Sequence, residues 1–174
     1  ATTGVGNILL NARSGNITAQ AIIHGGTGNI SLNAVGTNLN GNVELWNTTN
    51  ATDGTAFVGV LQTDNATIDV KAGNAIDMKD GSTILSKGGD IRFEAVNNIN
   101  VSYVDAMNAS PERAGDVAII STSGSILDVD NGTALDVYAA GLLMEAATGI
   151  GTSTNHLDTT VTTLTASAGS GGMF

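Results

Sequence analysis

The chain has 174 residues, six basic against 16 acidic for a net charge of −10, 41% hydrophobic and 3% aromatic residues, 23 glycines, one proline and no cysteine. These figures exclude a disulfide scaffold and a thiolate metal site, a nucleic-acid binder, which needs a basic face, and a disordered chain, which cannot be this apolar. No run of about 18 apolar residues offers a membrane-spanning helix, no charged and then apolar leader marks a signal peptide, and the scarcity of aromatics predicts one domain, 1–174, with a narrow aliphatic core.

In chain order, the first element is Gly6-Asn7-Ile8-Leu9-Leu10-Asn11-Ala12, followed by Ser14-Gly15-Asn16-Ile17-Thr18-Ala19. Gly28-Asn29-Ile30-Ser31-Leu32-Asn33-Ala34 repeats the first, and Gly41-Asn42-Val43-Glu44-Leu45 reads as a shorter copy. Ala66-Thr67-Ile68-Asp69-Val70-Lys71-Ala72 and Gly73-Asn74-Ala75-Ile76-Asp77-Met78 come next. Gly89-Asp90-Ile91-Arg92-Phe93-Glu94-Ala95 is trailed by Asn97-Asn98-Ile99-Asn100-Val101. Gly115-Asp116-Val117-Ala118-Ile119-Ile120-Ser121 is trailed by Ser123-Gly124-Ser125-Ile126-Leu127, and Gly141-Leu142-Leu143-Met144-Glu145-Ala146 by Thr148-Gly149-Ile150. Helical patterning is nearly absent; its best stretch, Leu135 to Ala147, is interrupted by Gly141.

Each copy is a short strand in which alternate residues face one way, Ile8, Leu10 and Ala12 for the first. Gly-Asn and Gly-Asp corners suit positive φ and let Asn bond its own backbone. Self-similarity at roughly 20–26 residues is the mark of a solenoid. The sequence therefore predicts an all-β fold, a single right-handed parallel β-helix of about seven coils. Equivalent residues of successive coils form an inward ladder: Ile8, Leu10, Ile30, Leu32, Val43, Leu45, Ile68, Val70, Ile91, Phe93, Val117 and Ile119.

Chemistry-bearing residues are sparse. His24 and His156, the two histidines, lie near opposite ends of the sequence. A catalytic or metal site needs convergent groups, so they predict none. Asp128 and Asp130 fall on one side of a strand, and Asp69 with Asp77 are expected to ladder across coils, although acidic side chains on a rod mainly serve solubility. No cofactor is expected; calcium is the one ion the oxygen-rich composition could hold, although the Gly-Gly-x-Gly-x-Asp repeat of calcium rolls is absent. Eight Asn-x-Ser/Thr sequons start at Asn16, Asn29, Asn47, Asn50, Asn65, Asn100, Asn108 and Asn131, as expected by composition alone. Thr159 to Thr165 form a threonine-rich outward strand. Two polar loops are the candidate recognition surfaces: the one bracketed by Trp46 and Phe57, and the one holding Pro111, Glu112 and Arg113.

The repeated Gly-Asn-Ile-x-Leu-x-Ala unit and its trailing Gly-Asn-Ile resemble the right-handed β-helices of filamentous haemagglutinin-type proteins, very large bacterial surface and secreted adhesins. The passage Gly149-Ile150-Gly151 to Asn155-His156-Leu157-Asp158-Thr159-Thr160-Val161-Thr162-Thr163-Leu164 is its most specific part. The family's N-terminal secretion cap has no counterpart, which implies a segment of a longer chain. The resemblance implies a structural, non-enzymatic and adhesive piece of an extracellular or cell-surface fibre. Its partners would be further repeats or neighbouring copies end to end, and host or environmental glycans or surfaces. The alternatives are a polysaccharide lyase or hydrolase on the same scaffold, for which aromatics and cations are too few to line a groove, and a calcium- or glycan-binding module.

Overall fold

A computed structural model describes residues 5–49, 56–108, 114–130 and 132–174, with the side chains of 48, 49, 56 and 57 left aside. Among them there is no helix, and the strands wind as a parallel β-solenoid of about six turns. The first turn holds β1 (Ile8–Asn11), β2 (Ile17–Ala19) and β3 (Ile22–His24). The second holds β4 (Ile30–Ala34), β5 (Val43–Leu45), an inserted pair β6 (Asn47–Thr49) and β7 (Ala56–Val58), then β8 (Val60–Gln62). The third has β9 (Ile68–Ala72), β10 (Ile76–Met78) and β11 (Thr83–Leu85); the fourth β12 (Ile91–Ala95), β13 (Ile99–Val101) and β14 (Tyr103–Asp105). The fifth begins with β15 (Val117–Ser121) and β16 (Ile126–Asp128). The long β17 (Val137–Ala146) closes the fifth turn and opens the sixth, which continues with β18 (Gly149–Ile150). Another long strand, β19 (Thr159–Ala168), and β20 (Gly172–Met173) complete the chain.

Strands of successive turns pair in parallel and in register, so three faces run along the rod. On the first face Ile8, Ile30, Ile68, Ile91, Val117, Leu142 and Leu164 stack. On the second, Ile17, Val43, Ile76, Ile99, Ile126 and Ile150 stack. The third stacks Ile23, Leu61, Ile84, Val104 and Val137. Ile30, Leu32, Val43, Leu45, Ile68, Val70, Ile91, Phe93, Val117 and Ile119 are all buried. At strand spacing the seven first-face strands span about 29 Å.

Two members of the expected ladder, and the number of coils, need correction. Val43 does not share a ladder with Ile8 and Ile30: it belongs to the second face, between Ile17 and Ile76. The step of 13 residues from Gly28 to Gly41, shorter than the 20–26 of the other copies, is thus the walk from one face to the next inside the second turn, and counting it as a coil inflated the expected number to seven. Leu10 lies in register with buried Leu32 but is 38% exposed, because the first turn is covered on one side only. The stretch with the faint helical signal is strand β17, in which the corner between third and first faces opens out.

The expected positive φ is found at the Gly15-Asn16 corner (φ 84°) but not at the other Gly-Asn and Gly-Asp corners. Gly28, Gly41, Gly89 and Gly115 do not adopt positive φ. A Cβ at Gly28 would run into the Gly6 carbonyl, and one at Gly115 into the Gly89 carbonyl, so these glycines let one turn rest on the next. The neighbouring Asn or Asp side chain reaches along the rod. Asn7 Oδ1 accepts the Asn29 N–H (2.9 Å) and Asn29 Oδ1 the Thr67 N–H (3.0 Å). Asp90 and Asp116 accept the N–H groups of Asp116 (2.9 Å) and Gly141 (2.8 Å). At the next corner Asn16 and Asn98 accept from Asn42 (2.9 Å) and Ser125 (3.0 Å). Corner backbone donors left over by strand pairing are satisfied this way.

Candidate functional site

The outer surface of the rod carries three features built from its sequence. The first is the inserted hairpin β6–β7, the antiparallel pair that interrupts the second turn between its second and third faces. Trp46 stands at its base, half-buried, and donates Nε1–H to Glu44 Oε2 (3.1 Å). Phe57 lies on β7. Pro111, Glu112 and Arg113 fall outside the described residues, between β14 and β15.

The second is a patch of cross-strand charge on the first face. Register sets Asp69 beside Arg92 and Lys71 beside Glu94. Lys71 Nζ lies 2.7 Å from Glu94, Arg92 Nη1 3.4 Å from Asp69, and Arg92 also bonds Glu94. The Lys71 ammonium holds the Glu94 carboxyl below its ordinary range. Asp69 and Asp77, expected to ladder together, stand on different faces of one turn; Asp77 instead accepts from Asn100 Nδ2 (3.1 Å) and pairs with Lys79. On the third face Asp64 meets His24 Nε2 at 3.3 Å and Lys87 at 2.7 Å, and Lys87 lowers the Asp64 pKa. Tyr103 donates to Asp105 (3.1 Å); burial, with that carboxylate beside it, pushes its phenol up to about 12.

The third is an acidic pocket where the fifth turn passes from second to third face. Asp128 ends β16 in register with Val101, and Leu45 and Met78 fill the corresponding core position in other turns. Asp130 N–H bonds Asp128 Oδ1 (2.8 Å) and Gly132 N–H bonds Asp130 Oδ1 (2.6 Å). The pair therefore share a tight turn, not one side of a strand. Asp136, directly before β17, brings a third carboxylate; one oxygen from each of the three lies within 4.8 Å of the others. Asp136 is 1% exposed; its Oδ2 accepts the Asp158 N–H (2.7 Å), while its Oδ1 is buried without a hydrogen-bond partner, as is Asp128 Oδ2. From the sixth turn Asn155 Nδ2 donates to the carbonyls of Asp128 (3.2 Å) and Asp130 (2.5 Å), fixing the turn's shape.

Two such charges repel by about 3–4 kcal/mol at an effective dielectric near 20. Accordingly burial, aided by Asp128 and Asp130, raises the Asp136 pKa to about 8, and burial raises that of Asp128. Sequence reading named Asp128 and Asp130 but missed Asn155 and the convergence of Asp136. The available signal was alignment: Asp128 sits two residues after Ile126, as Leu45, Met78 and Val101 sit two after Val43, Ile76 and Ile99.

Comparison with known proteins returns no match to a family model, to a curated protein or to a solved structure.

Proposed function

We propose that the chain is a structural, non-catalytic and adhesive segment of an extracellular or cell-surface fibre, of the filamentous haemagglutinin type: a stiff rod that displays loops. The observation that carries this reading is the set of three aliphatic ladders running through successive turns with few interruptions, joined by parallel backbone pairing and corner carboxamides. Such a stack resists bending because every turn is bonded to the next along its axis. The resemblance of the Gly-Asn-Ile coils supports the family, and the hairpin β6–β7 is the part best suited to recognition, since it leaves the rod's contour without breaking a ladder.

Terminal turns are less covered than inner ones: Leu9 is 67%, Leu164 54% and Phe174 49% exposed. Apolar rungs and open strand edges favour burial against another turn, so further turns or neighbouring copies serve as end-to-end partners. The test is small-angle scattering with light scattering over a concentration series, alongside binding to immobilised glycans and to cell surfaces. A rod-shaped particle that lengthens with concentration, and binding that is lost when residues 47–58 are replaced by a short Gly-Ser link, support the reading. A compact, strictly monomeric particle with no surface binding, or release of reducing ends from polysaccharides, contradicts it.

A further inference from the structure

We propose that Asp128, Asp130 and Asp136 form a calcium-binding site at the fifth turn. Two observations meet here. One is the cluster itself, three carboxylate oxygens within 4.8 Å of one another. The other is burial: Asp136 is 1% exposed, and its Oδ1 is buried with no N–H or O–H donor from outside the three carboxyl groups, the Asp128 carboxyl being its one neighbour able to share a proton. Buried polar atoms are almost always paired, so a buried carboxylate oxygen that meets only other carboxyl groups marks the place of a positively charged occupant. Asp128 strengthens this, since it puts a carboxylate, with its own unpaired buried oxygen, at a position that other turns fill with Leu45 or Met78.

The choice of ion follows from the donors. All are hard oxygens, which suit calcium or magnesium and not a softer metal. Calcium binds oxygens at about 2.3–2.6 Å in irregular geometry, so ligands up to roughly 5 Å apart touch one ion without backbone movement. Magnesium at about 2.0–2.1 Å demands a tighter octahedron. Asp128 and Asp130 present carboxylates at alternate positions of a tight turn, held by Asn155 from the neighbouring turn. Asp130 is less buried and borders an open groove of about 290 Å³ with Asp80, Ser102 and Tyr103, which gives an ion a way in. Bound calcium would tie the fifth turn to the sixth, because Asp136 and Asn155 already reach across to both.

The experiment uses the full chain stripped with EDTA, titrated calorimetrically with calcium chloride or magnesium chloride at fixed ionic strength, with thermal melts in parallel. One calcium per chain and a raised midpoint are expected, since a ligand held only by the folded state stabilises it. Asp136→Asn keeps the acceptor for the Asp158 N–H, and Asp130→Asn alters a partly exposed side chain and so keeps the test open if the first variant misfolds. Each is expected to weaken binding roughly tenfold or more, whereas Asp77→Asn, in another turn, leaves it unchanged. Absence of saturable heat up to millimolar calcium, an equal response to magnesium, or undiminished binding by Asp130→Asn overturns the proposal. So does a calcium-insensitive protein whose midpoint rises in Asp136→Asn, which marks a proton shared between carboxylates as the occupant.

Discussion

Phe93→Ala probes the solenoid core most directly. The ring is fully buried, and register stacks it between Val70 below and Ile119 above, both fully buried. Removing a buried Phe side chain costs about 3–5 kcal/mol, depending on how far the surroundings collapse into the hole. Here collapse is restricted. Val70 and Ile119 are fixed along the axis by strand pairing at about 4.8 Å per turn, and a thin core has no deeper layer to move in. The expected loss is therefore in the upper half of the range, about 4 kcal/mol, or a midpoint lowered by about 10–15 °C for a chain of this size. Urea and thermal unfolding followed by circular dichroism measure it. Leu9→Ala is the control: at 67% exposure on the first turn it should change stability by less than about 0.5 kcal/mol. A loss below about 1 kcal/mol for Phe93→Ala, or equal losses for the two variants, would refute the claim that this ring fills a confined layer.

Asn29→Ala should lower stability by about 1 kcal/mol, since the Thr67 N–H loses its acceptor, whereas Asn29→Asp should be tolerated because Asp90 and Asp116 fill the same role in later turns; a harmless Asn29→Ala in chemical denaturation would remove the corner bonds from the account. In a Tyr138→Phe background, absorbance titration should find Tyr103 ionising at about 12, and Asp105→Asn should bring it down toward the ordinary value near 10; ionisation of Tyr103 at the ordinary value from the start would contradict its burial. Because Lys71 and Arg92 depress the Glu94 pKa, that carboxylate adds stability above its unfolded value of 4.5, which is lost as pH falls through the lower folded value. Glu94→Gln should flatten that part of the acid-unfolding profile, and an unchanged slope in urea titrations across pH 5 to about 2 would deny the linkage.

Much of this fold is legible in the sequence because its core is written once per turn. The Gly-Asn-Ile signal marks two faces, and Ile8, Ile30, Ile68, Ile91 and Val117 stack where alternation puts them. Val43 was misread because its Gly41-Asn42 prefix matches both motifs; only its register with Ile17 and Ile76 distinguishes the faces. The third face was invisible, since Ile23, Leu61, Ile84 and Val104 each sit at the centre of a three-residue strand, too short to show alternation, and none follows a Gly-Asn or Gly-Asp pair. The acidic pocket was half legible. Asp128 and Asp130 are neighbours in sequence, but Asp136 joins them through a change of strand direction that period-two alternation does not encode.

The corner contacts have a consequence for how such a chain can change length. Each Asn or Asp bond and each glycine contact at the corners joins a turn only to its immediate neighbour. Duplicating or excising one full circuit of the spiral therefore recreates every junction it removes, while gaining or losing a single residue inside a strand turns its apolar side outward. Genetic variation in extent should come in whole-circuit steps, with extra residues accommodated at bends, as the hairpin between Trp46 and Gly59 already demonstrates.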